Sequence, residues 1–136
     1  VGQLSIINDE TARKNYYLWS STQSSLQDYD IVMPISIPLD FTTWNDPALE
    51  LTYRTSSADT GDNRLDITVY DTDGNAVTLS GSVSNLANTD WTTTRIEITG
   101  GTWEPGESGM FSLRAFSKSE NGVQIREIAQ YFTSLP

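Results

Sequence analysis

The sequence contains many short runs in which apolar and polar residues alternate one by one. In the runs 31–37, 49–53 and 65–69, an apolar residue occupies every second position. This period of two places successive side chains on opposite faces of a β-strand, whereas the apolar residues of an amphipathic helix recur with a period of about 3.6 residues. Only 41–49 is compatible with a helical turn, and Pro47 limits that turn to one short piece. We therefore expect an all-β protein.

Turn-forming residues separate these runs at intervals of roughly 8 to 12 residues, as in antiparallel sandwiches. The strands predicted on this basis are 4–7, 16–19, 31–37, 49–55, 65–70, 76–79, 95–99, 111–117 and 123–132. We expect one domain over residues 1–136, an antiparallel β-sandwich that is jelly-roll-like with about eight to nine strands, and a short N-terminal arm at about residues 1–14. An immunoglobulin-like sandwich is the alternative architecture.

Three turns are predicted from their residue types. The segment 71–75 indicates a hairpin in which Gly74 takes a positive φ. The segment 104–107 has proline and glycine at its central positions, as a type II turn requires. The glycine pair at 100–101 predicts a further break in the chain.

The last predicted strand, 123–132, carries apolar residues on both faces of its second half. One of these faces holds Ile128 and Phe132, while an alanine and a tyrosine occupy the other. A β-bulge near Arg126 and Glu127 would shift the alternation and restore a single buried face. Alternatively, Ile128 and Phe132 lie on an outer surface that a second subunit covers.

The chain has no cysteine and no histidine. This excludes thiolate and imidazole metal sites, cysteine nucleophiles and the serine–histidine–aspartate triad. Nothing matches a phosphate-binding glycine loop, so we expect no nucleotide cofactor and no other cofactor. The acidic residues fall mainly in turns, where solvated carboxylates belong, and no spacing indicates a catalytic pair. We expect no enzymatic activity; a hydrolase that uses two carboxylates is the enzymatic alternative.

The segment 71–75, Asp-Thr-Asp-Gly-Asn, resembles the start of a calcium-binding loop. The helix–loop–helix form of that loop requires a bidentate glutamate at its twelfth position, where this sequence has Ser82. The hairpin accounts for all five residues, so no metal site is predicted.

Eighteen acidic residues outnumber eight basic ones, which gives a net charge of -10 and a pI of about 4.1. The basic residues are scattered apart from the pair Arg13-Lys14, whereas nucleic-acid-binding proteins cluster them. No apolar run approaches the roughly 20 residues of a membrane-spanning helix. We therefore expect neither a nucleic acid nor a membrane as a partner.

Four aromatic residues form a candidate ligand site, namely Tyr16, Trp19, Trp44 and Trp103. Gathered on one surface, their rings would give a platform on which a sugar ring stacks, as in carbohydrate-binding sandwiches. Packing in the core or at its rim is the alternative, because large aromatic side chains supply much of the buried area of a small domain.

Several segments together resemble small jelly-roll proteins of tailed-bacteriophage virions, which serve as capsid decoration (cement) proteins, head fibres or appendage domains. These segments are NYYLW at 15–19, IPLDFTTW at 37–44, LTYRT at 51–55, TWEPG at 102–106, FSLR at 111–114 and a closing strand at 125–131. The resemblance covers most of the chain. It implies a homotrimer without enzymatic activity on the capsid exterior, bound to the major capsid protein and assembled in the bacterial host cytoplasm.

The predicted subunit or shell interface comprises Arg13, Lys14, Tyr16, Arg126, Ile128 and Phe132. The first two are the only adjacent basic residues, and they lie in the N-terminal arm that the resemblance places against the shell. The alternative function is a carbohydrate-binding module, or a receptor-binding appendage domain of a phage or bacterial protein. That alternative would use the four aromatic residues of the predicted sugar platform.

Overall fold

Every strand predicted from the sequence is present. The computed structural model describes residues 2–11 and 14–135, and these form nine strands and no helix, hence no helix that could cross a membrane. The strands are β1 (Gln3–Asp9), β2 (Lys14–Ser20), β3 (Gln27–Ser36), β4 (Phe41–Thr55), β5 (Asn63–Tyr70), β6 (Thr78–Ser80), β7 (Thr92–Thr99), β8 (Ser108–Ser117) and β9 (Gly122–Ser134). The all-β prediction is confirmed.

The strands form two antiparallel sheets, one of six strands in the order β1-β2-β9-β4-β7-β6 and one of three in the order β3-β8-β5. The pairs are nested along the chain: β2 pairs with β9, β3 with β8 and β4 with β7. A bridge between Tyr70 and Ala76 closes the innermost hairpin, after β5. This nesting is jelly-roll-like and confirms the predicted antiparallel sandwich.

The core lies between the two sheets and is built from the inward-facing residues, which are every second residue along each strand. Its largest fully buried apolar side chains are Ile35, Leu49, Leu51, Leu65, Val69, Ile96, Leu113 and Val123. Strand β8 is the middle strand of the smaller sheet, with Leu113 between Ile31 of β3 and Ile67 of β5. Leu113 therefore lies at the centre of that sheet's inner face.

Strand β9 contains the β-bulge that the two-faced pattern predicted. Thr52 of β4 lies opposite Glu127 and Tyr53 lies opposite Ile125, so Arg126 is the extra residue. The bulge returns Ile128 to the same inner face as Ile125, and both Ile128 and Phe132 pack partly buried against the core. The alternative in which Ile128 and Phe132 face outward is wrong, because the extra residue reverses the alternation after position 126.

The segment 41–49, which the sequence leaves compatible with a helical turn, is part of β4 instead. Phe41 is buried in the core, and Trp44 lies opposite Phe132 of β9. The register between β4 and β9 shifts between Trp44 and Leu49, where Pro47 has no N–H to contribute to the ladder. Burial of the two aromatic side chains and pairing with β9 therefore decide the conformation of this segment.

The predicted turns are confirmed by their backbone geometry. Gly74 has a φ of 83°, and its N–H donates to the carbonyl of Asp71 at 3.0 Å. Gly106 has a φ of 85°, and the N–H of Glu107 donates to the carbonyl of Glu104 at 3.1 Å. These positive φ values favour glycine, because a Cβ atom is strained in this region.

Most of the expected N-terminal arm belongs to the larger sheet. β1 pairs with β2 along its whole length, from Gln3 opposite Ser20 to Asp9 opposite Lys14. Because β1 has no other neighbour among the described strands, it is one of the two edge strands of the six-stranded sheet.

Candidate functional site

A cluster of aromatic and arginine side chains covers part of the outer face of the larger sheet. We call it the outer patch; its members are Tyr16, Arg54, Trp91, Gln124 and Arg126. They come from β2, β4, the residue before β7, and β9, which are neighbouring strands of the six-stranded sheet. The indole of Trp91 is the centre of the patch, with the ring of Tyr16 edge-on at 5.4 Å between centroids.

Two guanidinium groups lie against that indole. The Cζ atoms of Arg54 and Arg126 are each 4.5 Å from the ring centroid of Trp91. The attraction between a cation and an aromatic face is about 0.5–1 kcal/mol at exposed sites and about 2 kcal/mol when water is excluded. The indole and the planar guanidinium groups thus hold one another in place.

The cations of the outer patch are only partly compensated by carboxylates. Arg54 donates through Nε to Gln124 Oε1 and forms no ion pair with the described side chains. The nearest described carboxylate oxygen to Arg126 Nε is Glu127 Oε1 at 3.8 Å, which is beyond hydrogen-bond distance. Arg126 Nε is buried without a hydrogen-bond partner in the part of the chain that is described. The patch therefore retains N–H donors and positive charge on an acidic protein.

The structure divides the predicted interface residues. Tyr16 and Arg126 come together in the outer patch. Ile128 and Phe132 lie on the inner face of β9 instead. Arg13 lies outside the described residues, and Lys14 is placed only as the first residue of β2.

Sequence reasoning missed Arg54 as a member of this surface. Arg54 alternates with the buried residues Tyr53 and Thr55, which indicates an outward side chain in a central strand. That signal was present, but only the pairing of β4 with β9 brings Arg54 beside Gln124.

A second candidate site is a pocket of about 350 Å³ at one end of the sandwich. We call it the tryptophan pocket; it is lined by Phe41, Thr42, Thr43, Trp44, Ile98, Gly100, Gly101 and Trp103. The rings of Trp44 and Trp103 meet edge to face, 5.2 Å apart at an angle of 86°. The Trp103 indole N–H donates to the carbonyl of Gly100 at 3.0 Å, which ties the ring to the loop before β8.

The four residues of the predicted sugar platform do not share one surface. Trp19 is only 5% exposed and stacks on Tyr29 inside the sandwich, so it offers no face to a ligand. Tyr16 lies on the outer patch. Trp44 and Trp103 come together in the tryptophan pocket, but their rings are perpendicular and do not form a flat platform.

Asp28 and Asp30 are two carboxylates that share one cation, Arg114. On the outer face of the smaller sheet, both lie near Arg114 Nε, at 3.6 and 2.8 Å. The hydrogen bond from Arg114 lowers the pKa of Asp30. A catalytic acid requires a raised pKa, so this pair does not resemble that of a glycoside hydrolase.

In the segment 71–75, which resembles the start of a calcium-binding loop, the carboxylate of the first residue is hydrogen-bonded to backbone N–H groups. Asp71 accepts hydrogen bonds from the N–H groups of Thr102 at 2.9 Å, Asn75 at 3.0 Å and Asp73 at 3.0 Å. These donors, Thr102 foremost, lower the pKa of Asp71. Asp71 therefore joins the β5–β6 hairpin to the loop before β8.

We expect Asp71→Asn to make the stability of the folded protein less dependent on pH in the acidic range. Because the folded-state pKa lies below the unfolded one, the ionised carboxylate stabilises the fold above about pH 4, and this contribution is lost as the pH falls through the folded-state value. Asparagine does not titrate, so the melting temperature of the variant should fall less steeply below about pH 4 than that of the wild type. Melting curves by circular dichroism measure this.

Asp73→Asn is the matched control, because Asp73 lies in the same turn and is exposed. It should follow the wild-type profile, in which Asp30 also contributes a dependence of the same sign. Parallel profiles for Asp71→Asn and the wild type would contradict the role given to Asp71.

Apolar side chains are exposed on the inner face of the β1–β2 hairpin. Three strands cannot cover the inner face of six, so Leu4, Ile6 and Tyr17 are 37%, 70% and 48% exposed. Tyr29 of β3, beside Trp19, is 41% exposed. We call these four residues the uncovered strip; it is an apolar surface of the kind that another protein surface covers.

Comparison with known proteins adds no relative. No protein-family model matches the chain, and no curated protein matches it significantly.

Proposed function

We propose that this protein is a non-enzymatic virion structural protein, a decoration or cement protein on the outer surface of a bacteriophage shell, with the major capsid protein as its partner. The resemblance of the sequence to small jelly-roll virion proteins suggests this role, and the jelly-roll-like pairing of the strands agrees with it. The site of such a protein is a contact surface.

The observation that carries the proposal is the outer patch. Tryptophan, tyrosine and arginine are the residue types that dominate the binding energy of protein interfaces. Here the three types are in mutual contact on the outer face of a sheet, around the indole of Trp91. Their cation–π contacts limit side-chain motion before binding, which lowers the entropic cost of ordering them.

The charge distribution supports a protein partner with an acidic surface. The whole chain carries a net charge of -10, whereas the guanidinium groups of Arg54 and Arg126 both lie against Trp91 in the outer patch. Carboxylates of a partner would complete the hydrogen bonds of these guanidinium groups. The remaining acidic surface would repel packaged nucleic acid and orient the protein on the shell.

A homotrimer would strengthen attachment without new contacts. Three linked copies of a modest site can exceed the affinity of one by roughly 10²- to 10⁴-fold. The uncovered strip supports self-association, because Ile6 and Tyr17 expose apolar area that a second copy would bury.

Sedimentation velocity at micromolar concentration is expected to give three times the 15.1 kDa mass of the chain. Ile6→Lys should shift the population towards the monomer, because it places a charge in the apolar contact. Val32→Lys is the control, since Val32 is 53% exposed on the outer face of β3, away from the strip. A wild-type monomer would contradict the trimer, and equal effects of the two variants would contradict the role of the strip.

The decoration role predicts that the chain copurifies with virus particles from the source culture through a density gradient. Mass spectrometry of the particle band should detect it, and a density map of the particle should place it on the shell exterior with the outer patch against the capsid. Absence of the chain from the purified particles would overturn the proposal.

A further inference from the structure

The tryptophan pocket has a lining suited to a small uncharged ligand with hydroxyl groups. Its volume of about 350 Å³ lies near the lower end of the roughly 300–1,000 Å³ range of small-molecule sites. None of the described side chains that line it is charged. This favours a neutral ligand, since an anion would find no cation in the lining and would be repelled by the acidic protein.

The pocket combines aromatic and hydrogen-bonding walls. Trp44, Trp103 and Phe41 supply aromatic surface, while Thr42 and Thr43 supply hydroxyl groups. The Gly100–Gly101 segment contributes backbone groups to the lining. A Cβ atom on Gly101 would lie only 2.6 Å from Val77 and 3.0 Å from Trp103 Nε1. Only glycine therefore lets the chain approach the indole so closely.

From this lining we infer that the tryptophan pocket binds a neutral saccharide unit, with the apolar face of the sugar ring against Trp44 or Trp103 and its hydroxyl groups near Thr42 and Thr43. A sugar ring has an apolar C–H face and polar edges, which matches both kinds of wall. The hydroxyls of Thr42 and Thr43 already donate to backbone carbonyls, those of Thr133 at 2.8 Å and Trp44 at 3.4 Å, so they offer a ligand their oxygen lone pairs as acceptors. The hydroxyl groups of a sugar can donate to these acceptors, whereas a purely apolar ligand cannot.

The pocket and the outer patch lie at different ends of the same strand. Trp44 lies opposite Phe132, whereas Arg126 belongs to the outer patch. Positions 126 and 132 are six residue steps apart along strand β9, which corresponds to roughly 20 Å. A protein attached through the outer patch would keep the pocket free for a glycan, so the two functions can be tested separately.

Titration calorimetry and saturation-transfer NMR with maltose, cellobiose and lactose test the inference, with digalacturonate as the anionic probe and adenine as a planar non-sugar probe. We expect at least one neutral disaccharide to bind with a Kd on the order of 1 mM, and digalacturonate to bind at least about tenfold more weakly. Failure of every neutral disaccharide to bind, or tighter binding of digalacturonate or adenine, would overturn the inference.

Variants assign the binding to the pocket. Trp44→Ala should weaken binding by at least about tenfold. Because Trp44 also packs on Phe41, Thr43→Val is the second variant, which removes an exposed hydroxyl without changing the core. Tyr131→Ala is the matched control, since Tyr131 is 41% exposed and lies on the face of β9 opposite to that of Phe132. Binding that neither Trp44→Ala nor Thr43→Val weakens would place the saccharide elsewhere and contradict the inference.

Discussion

Leu113→Ala is expected to destabilise the domain by about 2–5 kcal/mol, a large share of the roughly 5–15 kcal/mol that stabilises a typical domain. Leu113 is fully buried on β8, between Ile31 and Ile67 of the two neighbouring strands. Truncation removes buried methyl groups and leaves a cavity that paired strands on both sides prevent from collapsing. Urea unfolding followed by tryptophan fluorescence measures the loss, and the melting temperature should fall by roughly 10–20 °C.

Leu39→Ala is the matched control, because it makes the same chemical change at a side chain that is 84% exposed. Its effect should stay within about 0.5 kcal/mol of zero. If the two variants lost similar stability, or if Leu113→Ala lost less than about 1 kcal/mol, the central position of β8 in the core would be contradicted.

The double variant Arg54→Gln with Arg126→Gln is expected to weaken particle binding by at least about 30-fold, which corresponds to about 2 kcal/mol. Glutamine keeps a polar side chain but removes both cations from the indole of Trp91. Co-sedimentation with particles stripped of the native protein measures the change. The loss should be smaller at high ionic strength, where the electrostatic part of the wild-type affinity is already screened.

Arg64→Gln provides the control for this prediction. Arg64 also lies over an aromatic ring, with its Cζ atom 4.0 Å from the centroid of Phe116, but it belongs to β5 of the smaller sheet. It should bind particles within about twofold of the wild type. Equal losses in the two variants would indicate a general charge effect and would contradict the assignment of the outer patch as the contact surface.

The fold was predictable from sequence because its signals are local. Alternation with a period of two indicates a strand whatever its partner, and in the 104–107 turn the proline fixes φ while the glycine permits a positive φ. The segment 41–49 shows where this reasoning fails. Its conformation depends on Phe41 in the core and on Phe132 opposite Trp44, which are contacts between distant parts of the chain.

The candidate sites were predictable only in part. Tyr16 and Arg126 were singled out individually, but their meeting at Trp91 depends on the order of strands in the larger sheet. The same strand order places Trp19 inside the sandwich and Trp44 in a pocket at its end. The sequence positions of the aromatic residues alone do not show which of them are buried and which line a pocket.

The amino-acid sequence alone determined the β class, the nine strands, the glycine turns and the two possible explanations of the last strand, because each follows from side-chain spacing or backbone freedom within a few residues. Only the tertiary structure decided that Arg126 is the bulged residue, that Ile128 and Phe132 face inward, and which aromatic side chains share a surface. The physical reason is that register and strand order result from packing and hydrogen bonding between segments far apart in the chain, and one extra residue in a strand exchanges its two faces.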